Sequence, residues 1–352
     1  MKTLKGRLYY ISEDGRGLYY KGLTFFDVNL ENGEKTVITR MPIGGIKWLL
    51  SRIRVCNRLL RLEPRCVERL TDNMYVVCFL QKIWLLDLHK KTCSELLAFR
   101  NGFSNPLDLC SDGDAVYWGE YGNNETHRQV NVYKLKRDLS IETIYSFEPG
   151  IIRHIHNIVW DSDNRRFFVL TGDLEDTSGI YEANEDWSKV KPIVTGKQQY
   201  RAVVAFPYSN GLIYATDSVV EKNNIYHLQN GDVSVIATFP GSCIYGTETK
   251  DYYVFASTVE PPEGRGFLNM LTYKLGAGIE DRYSHLISVR KCDLQVKEIT
   301  RLKKDFLPMK LFQYGSIMFP NVINADGNAL WYYSMACKGD GKTKMVKIEE
   351  EL

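Results

Sequence analysis

A hairpin motif recurs seven times in this chain. Its openings are Thr24-Phe-Phe-Asp-Val, Ile83-Trp-Leu-Leu-Asp-Leu, Val130-Asn-Val-Tyr-Lys-Leu, Gly179-Ile-Tyr-Glu, Asn224-Ile-Tyr-His-Leu, Leu286-Ile-Ser-Val-Arg and Lys344-Met-Val-Lys-Ile, at intervals of 45 to 62 residues. Between them lie short runs of Tyr, Val, Ile, Phe and Trp broken by Asp-Gly, Asn-Gly or Gly-Asp turns, with almost no helical periodicity. A supersecondary unit repeated at this spacing cannot bury its apolar face alone, so neighbouring units must stack. The pattern predicts an all-β fold: a single β-propeller over 1–352 with seven four-stranded blades, six being the alternative count. Arg153 to Val194 and Arg201 to Phe239 each read as one blade. The last hairpin lacks a fourth strand, and Leu8-Tyr-Tyr-Ile, pairing back as an N-terminal strand, would close the ring and remove two open edges.

Composition limits the partners. Lys plus Arg total 45 and Asp plus Glu 43, a net charge of +2, which supplies no field for holding a polyanion and argues against nucleic acid. The most apolar window, Met74 to Leu80, is far shorter than the ~20 residues that cross a bilayer. The first residues offer no signal-peptide core. These features predict a soluble, cytoplasmic protein with no membrane partner, and they leave the oligomeric state open. Eight cysteines without a C-x-x-C pair read as reduced, inert thiols. Gly45 to Arg65 departs from the strand pattern. It mixes Trp48, Leu49, Ile53, Leu59, Leu60 and Leu62 with Arg52, Arg54, Arg58, Arg61 and Arg65, which fits an amphipathic helix or twisted strands about equally. This basic insertion at about 45–65 reads as a solvated face, with a local anion site as the other option.

Ligands of a propeller bind where inner strands and interblade loops converge, so polar residues at inner-strand tips take priority. Arg153-His154-Ile155-His156 opens the fourth blade. Strand alternation sets His154 and His156 on one face, roughly 7 Å apart, with Arg153 and Ile155 on the other. Two imidazoles so placed can hold a metal, or one can abstract a proton while the other holds a hydroxyl. Asp173 follows Gly172 at the end of the next strand, and Asp217 repeats its position one blade later, after Tyr200-Arg201. The third blade offers Glu120-Tyr121 and then Arg128. Gln313-Tyr314 is the corresponding, weaker set near the C-terminus. His, Arg, carboxylate and Tyr together suit a saccharide, because hydroxyls are read by carboxylates, sugar faces stack on aromatics and an acidic sugar pairs with Arg. No phosphate-binding glycine motif or nucleophile elbow occurs.

The segments Ile180-Tyr-Glu-Ala-Asn-Glu-Asp-Trp187-Ser-Lys-Val190 and Val132-Tyr-Lys-Leu-Lys-Arg-Asp138-Leu-Ser-Ile-Glu-Thr143 resemble the Ile-Tyr-x-Ser-x-Asp-x-Gly-x-Thr-Trp hairpins of sialidase-like propellers with bacterial neuraminidase repeats. Ala183 and Leu135 replace the serine and the glycine is missing. The resemblance implies the fold more strongly than sialidase activity. Arg128, Arg153, Arg201, Tyr121, Glu120 and Asp173 could be cast in sialidase roles, but no motif fixes them by position. The His pair is foreign to that template and is similar to propeller polysaccharide lyases, in which His and Tyr serve as base and acid while Arg neutralises a uronate carboxylate.

These readings converge on a propeller that binds and cleaves a saccharide or glycoconjugate at its axis. Hydrolysis would use Asp173 or Glu120 as acid/base. Elimination would use His154 or His156 as base, Tyr121 or Tyr200 as acid and Arg201 as carboxylate clamp. Arg153, Arg128, Asp217, Gln313 and Tyr314 would complete substrate binding. No cofactor is required, although a divalent metal at His154/His156 is compatible with the pattern. The alternative is a non-catalytic propeller that recognises a protein or glycan.

Overall fold

A computed structural model describes residues 3–264, 270–322 and 327–348. Strands dominate, with three short helices among the described residues. The fold is a seven-bladed β-propeller, with seven four-stranded blades in a ring, the first joined on its inner edge by the short parallel strand Asn321–Val322. Each of the seven hairpin openings lies in the third strand of a blade. The fourth and fifth blades span 154–195 and 202–239, close to the limits read from the sequence. The chain divides into two compact units, one comprising Met1–Glu63, Val219–Asn223 and Ala237–Leu352, the other Pro64–Ser218 and Asn224–Ile236.

In the first unit, the seventh blade combines Ser316–Met318, Ala329–Met335 and Lys342–Lys347 with Thr3–Lys5 as its outer strand. Closure is therefore N-terminal as expected, but the residues differ from the expectation. Arg7–Ile11 is buried at all five positions and forms the inner strand of the first blade, where both faces must be covered. Thr3–Lys5, exposed at both ends, suits an outer edge. The chain passes from one role to the other at Gly6, whose φ of 139° and position against the Tyr19 ring exclude a side chain. Buried Thr343 fastens this crossing, donating from Oγ1 to the Gly6 carbonyl at 2.7 Å and accepting the Leu8 amide at 3.2 Å.

Gly45 to Arg65 holds two short helices, Ile46–Leu50 and Arg54–Leu59, which resolves the helix-or-strand ambiguity. Its arginines divide: Arg52 and Arg61 are exposed, while Arg54 and Arg58 turn inward. Arg58 is buried and pairs with Asp305 and Asp340, while Arg54 pairs with Asp340 and Glu63. These guanidiniums are internal fasteners.

The second unit is built on apolar layers between successive blades. One layer, with Tyr117, Ile155, Phe167 and Trp187, lies between the third and fourth blades. Another, with Leu170, Tyr200, Tyr214 and Leu228, lies between the fourth and fifth. All eight cysteines are free thiols, and no helix among the described residues is long and apolar enough to cross a membrane.

The Gly6 crossing has a measurable weight. Thr343→Val keeps the shape of the side chain but strands a buried amide and carbonyl, so urea unfolding is expected to show a loss of about 1–3 kcal/mol. An unchanged midpoint would mean that the two groups find other partners.

Candidate functional site

The fourth blade's inner strand, His154–Asp161, pairs with Arg166–Gly172, but the register jumps between Ile155 and Asn157. His156 is the extra residue of a bulge, a device that bends a strand and re-aims its side chains. The inner strands of the first, fifth and sixth blades carry the same irregularity, at Tyr9, Val203 and Ile244. The imidazoles of His154 and His156 do share a face. Their ring centroids lie 5.1 Å apart, closer than plain alternation predicts. Gly172 makes room for them, since a Cβ there would lie 2.4 Å from His156 Cε1.

Asp173 is the centre of the cluster. Its carboxylate lies 3.1 Å from His156 Nε2, 3.5 Å from His154 Nε2, 3.3 Å from Arg153 and 3.1 Å from Arg201. Arg201 Nη1 and Gln198 Nε2 both donate to its backbone carbonyl at 2.9 Å. Burial by itself would push the Asp173 carboxyl up. The two imidazoles and the Arg201 guanidinium, all set against the carboxylate, outweigh burial and hold the group well below the ordinary carboxylate value. It is the ionised member of the cluster.

The tautomers follow from the partners. His154 Nδ1 lies 2.7 Å from the Gly122 carbonyl and His156 Nδ1 lies 3.0 Å from the Ala202 carbonyl. A carbonyl only accepts, so each Nδ1 carries hydrogen and each Nε2 is turned toward Asp173. The His154 Nε2 is buried and makes no hydrogen bond. A lone pair facing a carboxylate is repulsive, so this geometry calls for a proton, an electrophilic ligand or a cation at Nε2. His154, His156 and Asp173 offer one ligand atom each, all within 4.8 Å of one another, and main-chain orientation of Nδ1 is how metal-binding imidazoles are fixed.

The remaining predicted residues divide. Tyr121 joins the cluster, its ring 4.6 Å from that of His154 and 6.1 Å from that of His156. Arg153, expected on the opposite face, reaches Asp173 instead, because it precedes the strand and is not bound by its alternation. Asp217 lies 3.9 Å from Arg201. Glu120 is committed elsewhere: its carboxylate takes Arg100, the Asn131 amide and the Tyr133 hydroxyl. Tyr200 is built into the apolar layer between the fourth and fifth blades. Arg128 donates to the Asn101 carbonyl and covers Phe103. Gln313 and Tyr314 belong to the other unit, between the helix Met309–Phe312 and the seventh blade's inner strand. Two supporting residues had no functional signal in the sequence. Gln198 holds the Asp173 main chain, and Asn124 bonds the carbonyls of Arg128 and Arg153.

No protein-family model matches the sequence, and no curated protein matches it significantly. Solved structures match in fold. An oligogalacturonate lyase from Vibrio parahaemolyticus is 10% identical with a TM-score of 0.54, covering 86% of this chain and 79% of its own. An oligogalacturonate lyase in complex with manganese is 9% identical with a TM-score of 0.52, covering 95% and 97%. A chain of the mitotic checkpoint complex is 8% identical with a TM-score of 0.58, covering 99% and 95%. At such identities the likeness is one of fold.

The Asp173 environment has a pH signature. A carboxylate depressed in the folded state stabilises it at pH values above the ordinary 3.8, and this contribution is lost as pH falls through the lower folded value. The stability gap between wild type and Asp173→Asn is thus expected to persist at about pH 5 and to shrink only below 3.8. A gap already gone at about pH 5 would show that the carboxyl is not depressed.

Proposed function

We propose that the protein is a propeller acting on an acidic saccharide, cleaving it by β-elimination at the His154–His156–Asp173 cluster. The observation that carries this reading is the buried His154 Nε2, without a hydrogen-bond partner and 3.5 Å from a carboxylate that two arginines also reach. The arginine charges offset Asp173 and Asp217, so a proton on either imidazole leaves a positive surplus suited to a uronate. Solvent reaches the cluster through Arg153 and Asp173, whose side chains are 19% and 21% exposed, while the histidines are covered.

Elimination needs a base for the proton beside the carboxylate, a cation to steady the enolate charge and an acid for the leaving oxygen. Arg153 and Arg201 bind the uronate carboxylate. Substrate binding uncovers His154 Nε2, which takes the C5 proton; the C4–O bond breaks as the C4–C5 double bond forms, and Tyr121 protonates the departing oxygen. Hydrolysis is less well supported. It needs a protonated carboxyl, whereas Asp173 is held ionised and Glu120 is paired with Arg100. The three ligand atoms of His154, His156 and Asp173 also fit a divalent cation, which would supply charge neutralisation to the substrate carboxylate.

Incubation with oligogalacturonate and other uronate oligosaccharides, followed by ultraviolet absorbance of the unsaturated product, tests the proposal. His154→Ala is expected to lower kcat by about 10²–10⁴-fold with little change in Tm. Binding without product would favour the non-catalytic alternative, and neither binding nor product would sink the saccharide reading. Chelation and manganese re-addition separate the uses of the imidazoles. Activity indifferent to both leaves His154 as the base, whereas activity that falls and returns makes it a ligand.

A further inference from the structure

The two-helix insertion is amphipathic with its polarity reversed. On the helix Arg54–Leu59, Arg54 and Arg58 share one face at i,i+4 and turn inward to Asp340, Glu63 and Asp305. Val55 and Leu59, also i,i+4, stand exposed. On the preceding helix, Ile46 is 72% exposed with Leu49 beside it at i+3, and no residue of that helix is buried. Ile53 and Leu60 extend the exposed set, and Phe306, next to the Asp305 that grips Arg58, is 81% exposed.

This concentration of aliphatic surface is not scatter. Isolated exposed apolar residues are normal, but a run of them along one segment, two held outward by the inward ion pairs of Arg54 and Arg58, marks a contact surface. The charge of the segment says what it contacts. From Lys35 to Leu62 there is no Asp or Glu, and five Lys or Arg remain once the inward-paired Arg54 and Arg58 are set aside. Lys47, Arg52 and Arg61 are exposed among the aliphatics, and the Arg52 guanidinium lies 3.7 Å over the Trp48 ring.

We propose that this face docks the protein peripherally on an anionic lipid surface, with Ile46, Leu49, Ile53 and Phe306 entering the interface and Lys47, Arg52 and Arg61 meeting lipid phosphates and carboxylates. Ile, Leu, Phe and Trp flanked by Lys and Arg are the composition of interfacial helices. Protein-binding faces share the Trp, Phe and Arg of this surface but are depleted in Lys, and Lys47 stands exposed on it. Docking of this kind needs no spanning segment. It is independent of the saccharide site, which uses none of these residues.

Co-sedimentation with vesicles of phosphatidylcholine containing about 30% phosphatidylserine tests it. Wild type is expected to pellet with these vesicles, not with pure phosphatidylcholine, and to be released at about 0.5 M salt. Ile46→Asp/Leu49→Asp and Lys47→Glu are each expected to lower partitioning about tenfold or more, with unchanged Tm. Wild type that stays in solution, or variants that bind as well as it does, would overturn the proposal. So would lipid-free self-association abolished by Ile46→Asp/Leu49→Asp, which would make the face a contact between copies.

Discussion

A β-sheet ends in unsatisfied amides and carbonyls, and the arrangement of the first unit depends on how its last sheet disposes of them. Three residues at the N-terminus, Thr3–Lys5, pair with Lys342–Lys347, joining stretches nearly a chain length apart. The next five residues then dive inside as the first blade's inner strand. Only a residue without Cβ can make that change of role beside the Tyr19 ring, and only a buried hydroxyl such as Thr343 can satisfy the main chain on both sides of it. Closure is thus local chemistry at Gly6 that serves a long-range pairing.

The second unit places its polar cluster by a different device. Regular strands send alternate residues to opposite faces, which would leave the tip of the fourth blade's inner strand with a loose pair of imidazoles. The bulge at His156 and the missing Cβ at Gly172 draw the rings together over one carboxylate. Arginines before the fourth blade and before the fifth then reach the same carboxylate, one at each oxygen. A cluster this rich in charge persists under cover because Asp173 takes a hydrogen bond from His156 and ion pairs from Arg153 and Arg201, which compensate its burial.

The blade count, the all-β class and the limits of the fourth and fifth blades were legible in the sequence, because strand periodicity and turn residues are local signals. So was the meeting of His154, His156, Asp173 and Arg201, since equivalent strand tips converge. Less was visible where geometry breaks the period. Bulges have no composition signature, so the His spacing and the reach of Arg153 were misjudged. Glu120 and Tyr200 look like site residues in a string of letters, but pairing with Arg100 and burial against Leu170 and Tyr214 are tertiary facts. The inward turn of Arg54 and Arg58 was hidden for the same reason: Asp305 and Asp340 lie far along the chain. The decayed hairpins indicated a fold without fixing a family, and structural likeness at about a tenth identity leaves the matter there.

The two histidines of the fourth blade are each aimed by a neighbour, one by the Gly122 carbonyl ahead of it and one by the Ala202 carbonyl behind it. Both anchors are main chain. Replacement of the side chain at 202 cannot delete the group that selects the tautomer, so the imidazole chemistry is insulated from drift in the surrounding blade. The contacts contributed by Tyr121 and Gln198 are made by side chains and have no such protection. Descendants of this sequence can therefore change what the cleft admits while inheriting, unaltered, the direction in which its nitrogens point.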